Sequence, residues 1–333
     1  GLEPTRSRVS AAAIAQGAVP IMAQGAKPIP CVTLAPGVEM PALGYGVGTA
    51  WYKATGDKAE ALRGGVTAAL DAGFRHIDDA EMYENEVYTG EAVRAWLQRT
   101  GTPRQELFVT HKVMSVDDPG IAATCQQSLE RSGLEYFDLY LIHAPFKRSG
   151  DPFGKPLPEA WKEMESLVDA GKVKTIGVSN WRVSDIEEIY ETARIKPVCN
   201  QIEAHPYLQQ LRLLKYCQAR GILATAYGCQ LPLTKPELLG GPVDKAVAAA
   251  AERLGATAGQ VLLKWAHQTG RVPVTTTSKP ERMAEYLGMF AFELNGEEVA
   301  AISAAGQERP ARSFWTHVPQ FPKDPSNDPD SKL

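Results

Sequence analysis

Between Leu43 and Leu287, short apolar runs bounded by turn residues alternate with segments of helical period, and the pair recurs eight times. Strands alternating with helices throughout argue for a parallel sheet, because parallel neighbours need a crossover and a helix supplies it. Eight such units in one chain predict a closed (β/α)8 barrel, the TIM-barrel architecture. The predicted strands are 43–49, 75–77, 107–112, 137–143, 173–178, 198–202, 222–227 and 272–274. The predicted helices are 58–72, 85–98, 119–132, 158–170, 184–192, 210–219, 243–254 with 258–268, and 280–287. Gly73, Gly133, Gly171 and Gly221 supply left-handed stops. The alternative is a doubly wound open sheet, which needs G-x-G-x-x-G just after its first strand; Gly44, Gly46 and Gly48 come too early and too evenly for that.

Composition bounds the remainder. With 333 residues and 44% hydrophobic content the chain can bury one barrel with extensions. A formal net charge of −4 gives no general cationic surface, so a small molecule is the expected partner, with no nucleic acid and no membrane. Five cysteines without C-x-x-C spacing support neither a disulfide framework nor a zinc site, and are read as reduced thiols in or near the core. No apolar run reaches about 18 residues, and a cytoplasmic location is expected. Residues 1–30 are rich in Ala, Gln, Gly, Pro and Ser, with Glu3 as their one acid. They read as a flexible extension, an organellar transit segment being the weaker alternative. The 31–44 segment reads as a hairpin turning at Pro36-Gly37, and the barrel is placed at 31–320 with a tail at 321–333. A further helix follows Leu287, and the aromatics Phe314, Trp315 and Phe321 predict that the first half of the segment beyond Gln307 packs on the barrel.

Barrel enzymes place their chemistry at the C-terminal ends of the strands. Those ends carry Thr49, Asp78, Lys112, His143, Ser179 with Asn180, Gln201 with Glu203, Tyr227, and residues 275–278. Alone, GFRHIDDAEMYENE at 73–86 reads as a βα loop with acids at a helix N-terminus. Alone, His143 reads as a core histidine. Lys112 changes both readings: an ammonium ending an apolar run needs a carboxylate, and Asp78 lies one strand away. A lysine near Tyr83 is expected to lower the phenol pKa from about 10, so that Tyr83 donates a proton near neutral pH while neutral His143 orients a carbonyl. Asp79, a second carboxylate, opposes this if it points inward. The chain has no G-x-S-x-G, paired Cys/His signature or H-E-x-x-H, so acyl transfer and metal hydrolysis lack support and no metal is expected.

From about Cys31 to about Trp315 the chain resembles the aldo-keto reductases. GFRHIDDAEMYENE is similar to that family's GFRHIDTAxxYxNE, DLYLIHAP to its central motif ending in histidine, and KVKTIGVSN and CNQIEAHPYL to its segments at the fifth and sixth strands. The resemblance implies a barrel closed below by the hairpin and the reduction of aldehydes and ketones with NADPH/NADP+, NADH being the alternative cofactor. It implies a tetrad of Asp78, Tyr83, Lys112 and His143 with Tyr83 as general acid. Ser179, Asn180 and Gln201 then hold the nicotinamide carboxamide, Tyr227 stacks on the ring, and Gly48 and Thr49 approach the pyrophosphate.

Two departures stand out. In VPVTTTSKPERMAEY the usual lysine position falls on Thr276, which resembles the fungal conjugated-polyketone and ketopantoyl-lactone reductases. Cofactor contacts are expected from Thr276, Thr277, Ser278, Lys279 and Arg282. In AYGCQLPL, Gly228 and Cys229 replace a Ser-Pro pair, which puts a pyrophosphate clamp by that loop in doubt, although Gly228 is retained as a cofactor contact. Trp51, Phe146 and Trp315 are expected to line the substrate site, with Tyr52, Met114, Phe153 and Phe314 as further aromatic or apolar lining. Lys147, Arg148 and Arg312 favour an anionic or lactone-bearing substrate. A monomer or weak homodimer is expected. The competing function is a cofactor-binding redox sensor of the potassium-channel β-subunit type, against which the complete tetrad weighs. C=C reduction needs glutamate in place of the histidine, so His143 argues against it.

Overall fold

The computed structural model describes residues 29–114 and 116–331, so the extension expected at 1–30 lies, up to residue 28, outside the described residues. Strands β1 (Cys31–Ala35) and β2 (Val38–Pro41) form the antiparallel hairpin about Pro36-Gly37. The eight-fold alternation then closes on itself. Strands β3 (Gly44–Gly46), β4 (His76–Asp78), β5 (Phe108–Val113), β6 (Phe137–Ile142), β7 (Val173–Ser179), β8 (Cys199–Glu203), β9 (Leu223–Tyr227) and β10 (Arg271–Thr275) pair in parallel in sequence order, and β10 pairs back onto β3.

Around them run α1 (Asp57–Ala72), α2 (Glu86–Thr100), α3 (Ile121–Ser132), α4 (Leu157–Asp169), α5 (Val183–Tyr190), α6 (Leu211–Ala219), the short α7 (Leu231–Thr234), α8 (Pro242–Leu254), α9 (Ala258–Gln268), α10 (Pro280–Leu287) and α11 (Gly296–Gln307). The four glycines expected to stop helices all sit at positive φ, between 66° and 119°. No helix among the described residues is long and apolar enough to cross a membrane.

The two-residue period of a strand sorts each run into a lumen face and a helix face. On β5, Val109 and Val113 join the large core beneath the helices, while Phe108, Thr110 and Lys112 share the other face. The lower lumen is apolar: Leu34 and Met40 of the hairpin pack with Phe108, Leu139, Leu141, Cys199 and Val272. Burying each such side chain contributes about 1.5–3 kcal/mol. The bottom of the barrel is thereby plugged, and polar side chains collect at the other end.

Past α11 the chain packs back on the barrel. Val318 and Phe321 pack with Ala144 and Phe146, Arg312 forms a buried ion pair with Asp328 at 2.5 Å, and Asp330 accepts the N–H of Val183 at 2.8 Å. A carboxylate at the start of α5 is where the helix dipole favours one, so Asp330 ties the tail to α5 while Asp328 pairs with Arg312. Four cysteines are buried free thiols, whereas Cys31 is exposed on the hairpin edge.

Candidate active site

Register brings the polar strand ends together. Gly46, Asp78 and Thr110 are level across β3, β4 and β5, and Lys112 stands two residues beyond Thr110 on the same face. Lys112 Nζ donates to Asp78 Oδ1 at 2.5 Å, to the Asp79 carbonyl at 3.0 Å and to the Tyr83 hydroxyl oxygen at 3.3 Å. These contacts use all three ammonium protons. Burial opposes the charge on Lys112, yet the Asp78 carboxylate and the bonds to Asp78 and Tyr83 outweigh it and hold the pKa above its ordinary 10.5. Gln201 Nε2 donates to Asp78 Oδ2 at 2.7 Å, fixing the other carboxylate oxygen.

Tyr83 ends a 3-10 turn, Glu81–Tyr83, and meets the His143 ring edge-on at 5.6 Å. A Cβ on Gly48 would lie 2.7 Å from Tyr83 Cζ, so this glycine, just past β3, makes room for the phenol. The expectation that Tyr83 is unusually acidic is overturned. Burial, the largest influence, pushes its pKa up to about 12; Lys112 pulls it down, and Asp78 and, more weakly, Asp79 push it up. The sequence shows the lysine but not the loss of water around the phenol. Tyr83 therefore holds its proton at neutral pH. Burial first, then Lys112 and His111, drive the His143 pKa well below 6.5, so its imidazole is neutral.

Asn180 occupies the left-handed region at φ 59°. Its amide donates to the His143 carbonyl at 2.9 Å and to Ser179 Oγ at 3.1 Å, and its Oδ1 accepts from the Tyr227 hydroxyl at 2.7 Å. Ser179 Oγ itself donates to the Gln201 carbonyl at 2.8 Å. Ser179 thus stands behind Asn180 and positions it, while Asn180, Gln201 and Tyr227 line a cavity of about 640 Å³ with Asp78, Tyr83 and His143. Gly48, Thr49, Gly228 and Thr276 also line the cavity, and Thr276 Oγ1 is buried without a hydrogen-bond partner among the described residues. Thr277 sits behind this wall, its carbonyl accepting from Tyr45 at 2.8 Å. Ser278, Lys279 and Arg282 are exposed outside the lining, around the start of α10.

The substrate residues read from the sequence divide. Trp315 lines the cavity. Trp51 does not: it is 5% exposed and packs in the main core against Gly65, leaving Tyr52 at the wall. Phe146, 1% exposed, stands behind Trp315 at 5.1 Å, with Met114 packed on the same small cluster, and Phe153 belongs to the main core. An aromatic in a loop cannot be assigned to wall or core without knowing which way the loop turns. Of the three cations, Arg312 is buried on Asp328 and Lys147 pairs with Asp117 at 2.7 Å, while Arg148 lines the cavity.

Two contributors lie inside segments singled out in the sequence but have no assigned role there. Gln230 accepts from Thr275 Oγ1 at 2.7 Å, joining the loop after β9 to the end of β10. Glu203, a strand-end acid within CNQIEAHPYL, accepts the N–H groups of Ser313 at 2.8 Å and Phe314 at 3.0 Å. It holds the tail, with Phe314 and Trp315, over the cavity.

Asp79, which the sequence left unexplained, accepts the N–H of Ala80 at 2.7 Å. Its pKa is raised to about 6, chiefly by burial, with His111 opposing and Glu86 adding. Between about 3.8 and 6 the folded chain holds a proton that the unfolded chain has released, so stability falls as pH rises through that window. Asp79→Asn keeps the acceptor and removes the charge. We expect a gain on the order of 2 kcal/mol at about pH 7.5 that has largely gone by about pH 4.5, read from urea unfolding at both pH values.

The profile of the aldo/keto reductase family matches residues 42–307. The chain is 39% identical over 289 residues to the NAD/NADP-dependent indole-3-acetaldehyde reductase of Schizosaccharomyces pombe, covering 85% of this chain and 97% of that one. It is 38% identical over 300 residues to the NADPH-dependent alpha-keto amide reductase of Saccharomyces cerevisiae, covering 86% and 94%. A Bombyx mori aldo-keto reductase, solved in complex with NADP, superposes with a TM-score of 0.77 at 31% identity, covering 89% of this chain and 100% of that one. With eight parallel strands directing Asp78, Lys112 and His143 to one end of the barrel, and with most of its length matched, this chain belongs to the aldo/keto reductase family.

Proposed function

We propose that the chain reduces aldehydes or ketones to alcohols with NADPH, Tyr83 acting as general acid. The observation that carries this reading is Lys112, fixed by Asp78, donating to the Tyr83 oxygen beside a neutral His143 at the cavity wall. The names of the two fungal relatives and of the NADP-bound structure support the cofactor.

The residues present fit such a group. The cavity wall carries the Asn180 and Gln201 amides beside the tetrad and the buried Thr276 hydroxyl, which has no hydrogen-bond partner among the described residues. Asn180 and Gln201 would hold the carboxamide and Tyr227 would face the ring; Gly48, Thr49, Gly228 and Thr276 would border the pyrophosphate. Lys279 and Arg282, exposed around the start of α10, would meet the 2′-phosphate that distinguishes NADPH from NADH. When bound, the reduced nicotinamide supplies the hydride.

The rest falls to the chain's own groups. Tyr83 gives its proton to the carbonyl oxygen, and Lys112 stabilises the phenolate left behind. His143 orients the carbonyl by hydrogen bonding. Phe314, Trp315 and Tyr52 exclude water from the reacting atoms.

The test is NADPH oxidation against aldehydes, α-diketones and keto-lactones, followed across pH. Because Tyr83 keeps its proton up to about 12 and His143 stays neutral, the rate of reduction should be flat from about pH 6 to 9, whereas alcohol oxidation, which needs the phenolate, should climb throughout. NADPH binding without turnover of any panel member would defeat the proposal and favour the sensor.

A further inference from the structure

At the cavity mouth stands a cation whose charge is not fully engaged. Arg148 lines the cavity and its side chain is 51% exposed. Its guanidinium lies over the Tyr52 ring at 5.2 Å, an arrangement that fixes its direction without neutralising it. The nearest acid, Glu84, is 3.9 Å away and is bound instead by Lys53 at 2.6 Å. Among the described residues no acceptor takes a hydrogen bond from the guanidinium. The Arg148 carbonyl is tied to His317 at 3.2 Å, which anchors the loop to the tail. The neighbouring cations are different: Lys147 has Asp117, and Arg312 has Asp328.

We propose that the site takes carbonyl compounds bearing an anionic group away from the reacting carbon, and that Arg148 binds that group. This deepens the carbonyl-reductase reading and rests on it. The cavity that holds both Arg148 and the tetrad is lined by Tyr52, under the guanidinium, and Trp315, against His143, with Phe314 also in its wall, so the body joining carbonyl to anion is aromatic or otherwise apolar. A planar guanidinium presents two parallel N–H donors to a carboxylate, a geometry that lysine does not reproduce. Arg148 therefore sets specificity through binding, whereas Tyr83 does the chemistry.

The test uses 4-carboxybenzaldehyde and its methyl ester, equal in reactive group and different in charge, with wild type, Arg148→Gln and Arg148→Lys. In wild type the acid should be favoured over the ester in kcat/KM by about ten-fold, the size of one charge-assisted hydrogen bond, mainly through KM. Arg148→Gln should erase that ratio, Arg148→Lys should restore part of it, and added salt should shrink it in wild type. 4-Formylphenyl phosphate, run in parallel, distinguishes a carboxylate site from a phosphate site by which anion gives the larger ratio to its neutral counterpart. An acid-to-ester ratio near one in wild type, or one unchanged in Arg148→Gln, overturns the proposal while leaving carbonyl reduction standing. Failure of wild type to reduce acid and ester alike, together with the broader carbonyl panel, overturns the reductase reading itself.

Discussion

Tyr83→Phe should lower kcat for carbonyl reduction about 10³-fold while leaving NADPH affinity within about two-fold, the first read from steady-state NADPH oxidation and the second from cofactor fluorescence. The substitution removes one oxygen and little else. The ring keeps its edge-on contact with His143 and its close approach to Gly48, so no cavity opens. Lys112 loses one of three acceptors but keeps Asp78 Oδ1 and the Asp79 carbonyl. What disappears is the proton that must move as the alkoxide forms, an interaction realised in the transition state, so the loss belongs in kcat. His143 cannot substitute, because a buried imidazole beside Lys112 does not carry the extra proton. Retention of more than about a tenth of wild-type kcat would mean that another acid protonates the alkoxide.

The barrel was legible because both of its periods are written in the chain: two within each strand and about 3.6 within each helix, repeated until the sheet closes. The tetrad was legible for a related reason. Asp78, Lys112 and His143 each end an apolar run, and a polar group there must find a partner at the barrel mouth. Direction and burial were less legible. Trp51 and Tyr52 are adjacent aromatics of which one enters the core and the other lines the cavity, and only the turn of the loop decides which. The Tyr83 pKa went the other way because sequence shows the nearby lysine but not the exclusion of water. The anchors of the tail are hidden for the same reason: what Asp328 and Asp330 bind is not visible until Arg312 and the start of α5 are placed against them.

Lys112→Met should cost about 3–5 kcal/mol of stability and abolish measurable turnover, the first read from urea unfolding and the second from NADPH oxidation. Methionine fills much of the lysine's volume, so the cost does not come from a void. It comes from Asp78, a buried carboxylate that then retains Gln201 as its one side-chain donor, and from the Tyr83 oxygen, which loses the charge that supports its phenolate. The two effects separate in the double variant. Adding Asp78→Asn removes the orphaned charge, and the new amide oxygen can still accept from Gln201, so stability should return to within about 1 kcal/mol of wild type. Turnover should not return, because with both substitutions in place neither position carries a charge and nothing remains to stabilise the phenolate. Recovery of both together would show that Lys112 serves the fold alone; recovery of stability with the rate still lost assigns the ammonium to the chemistry.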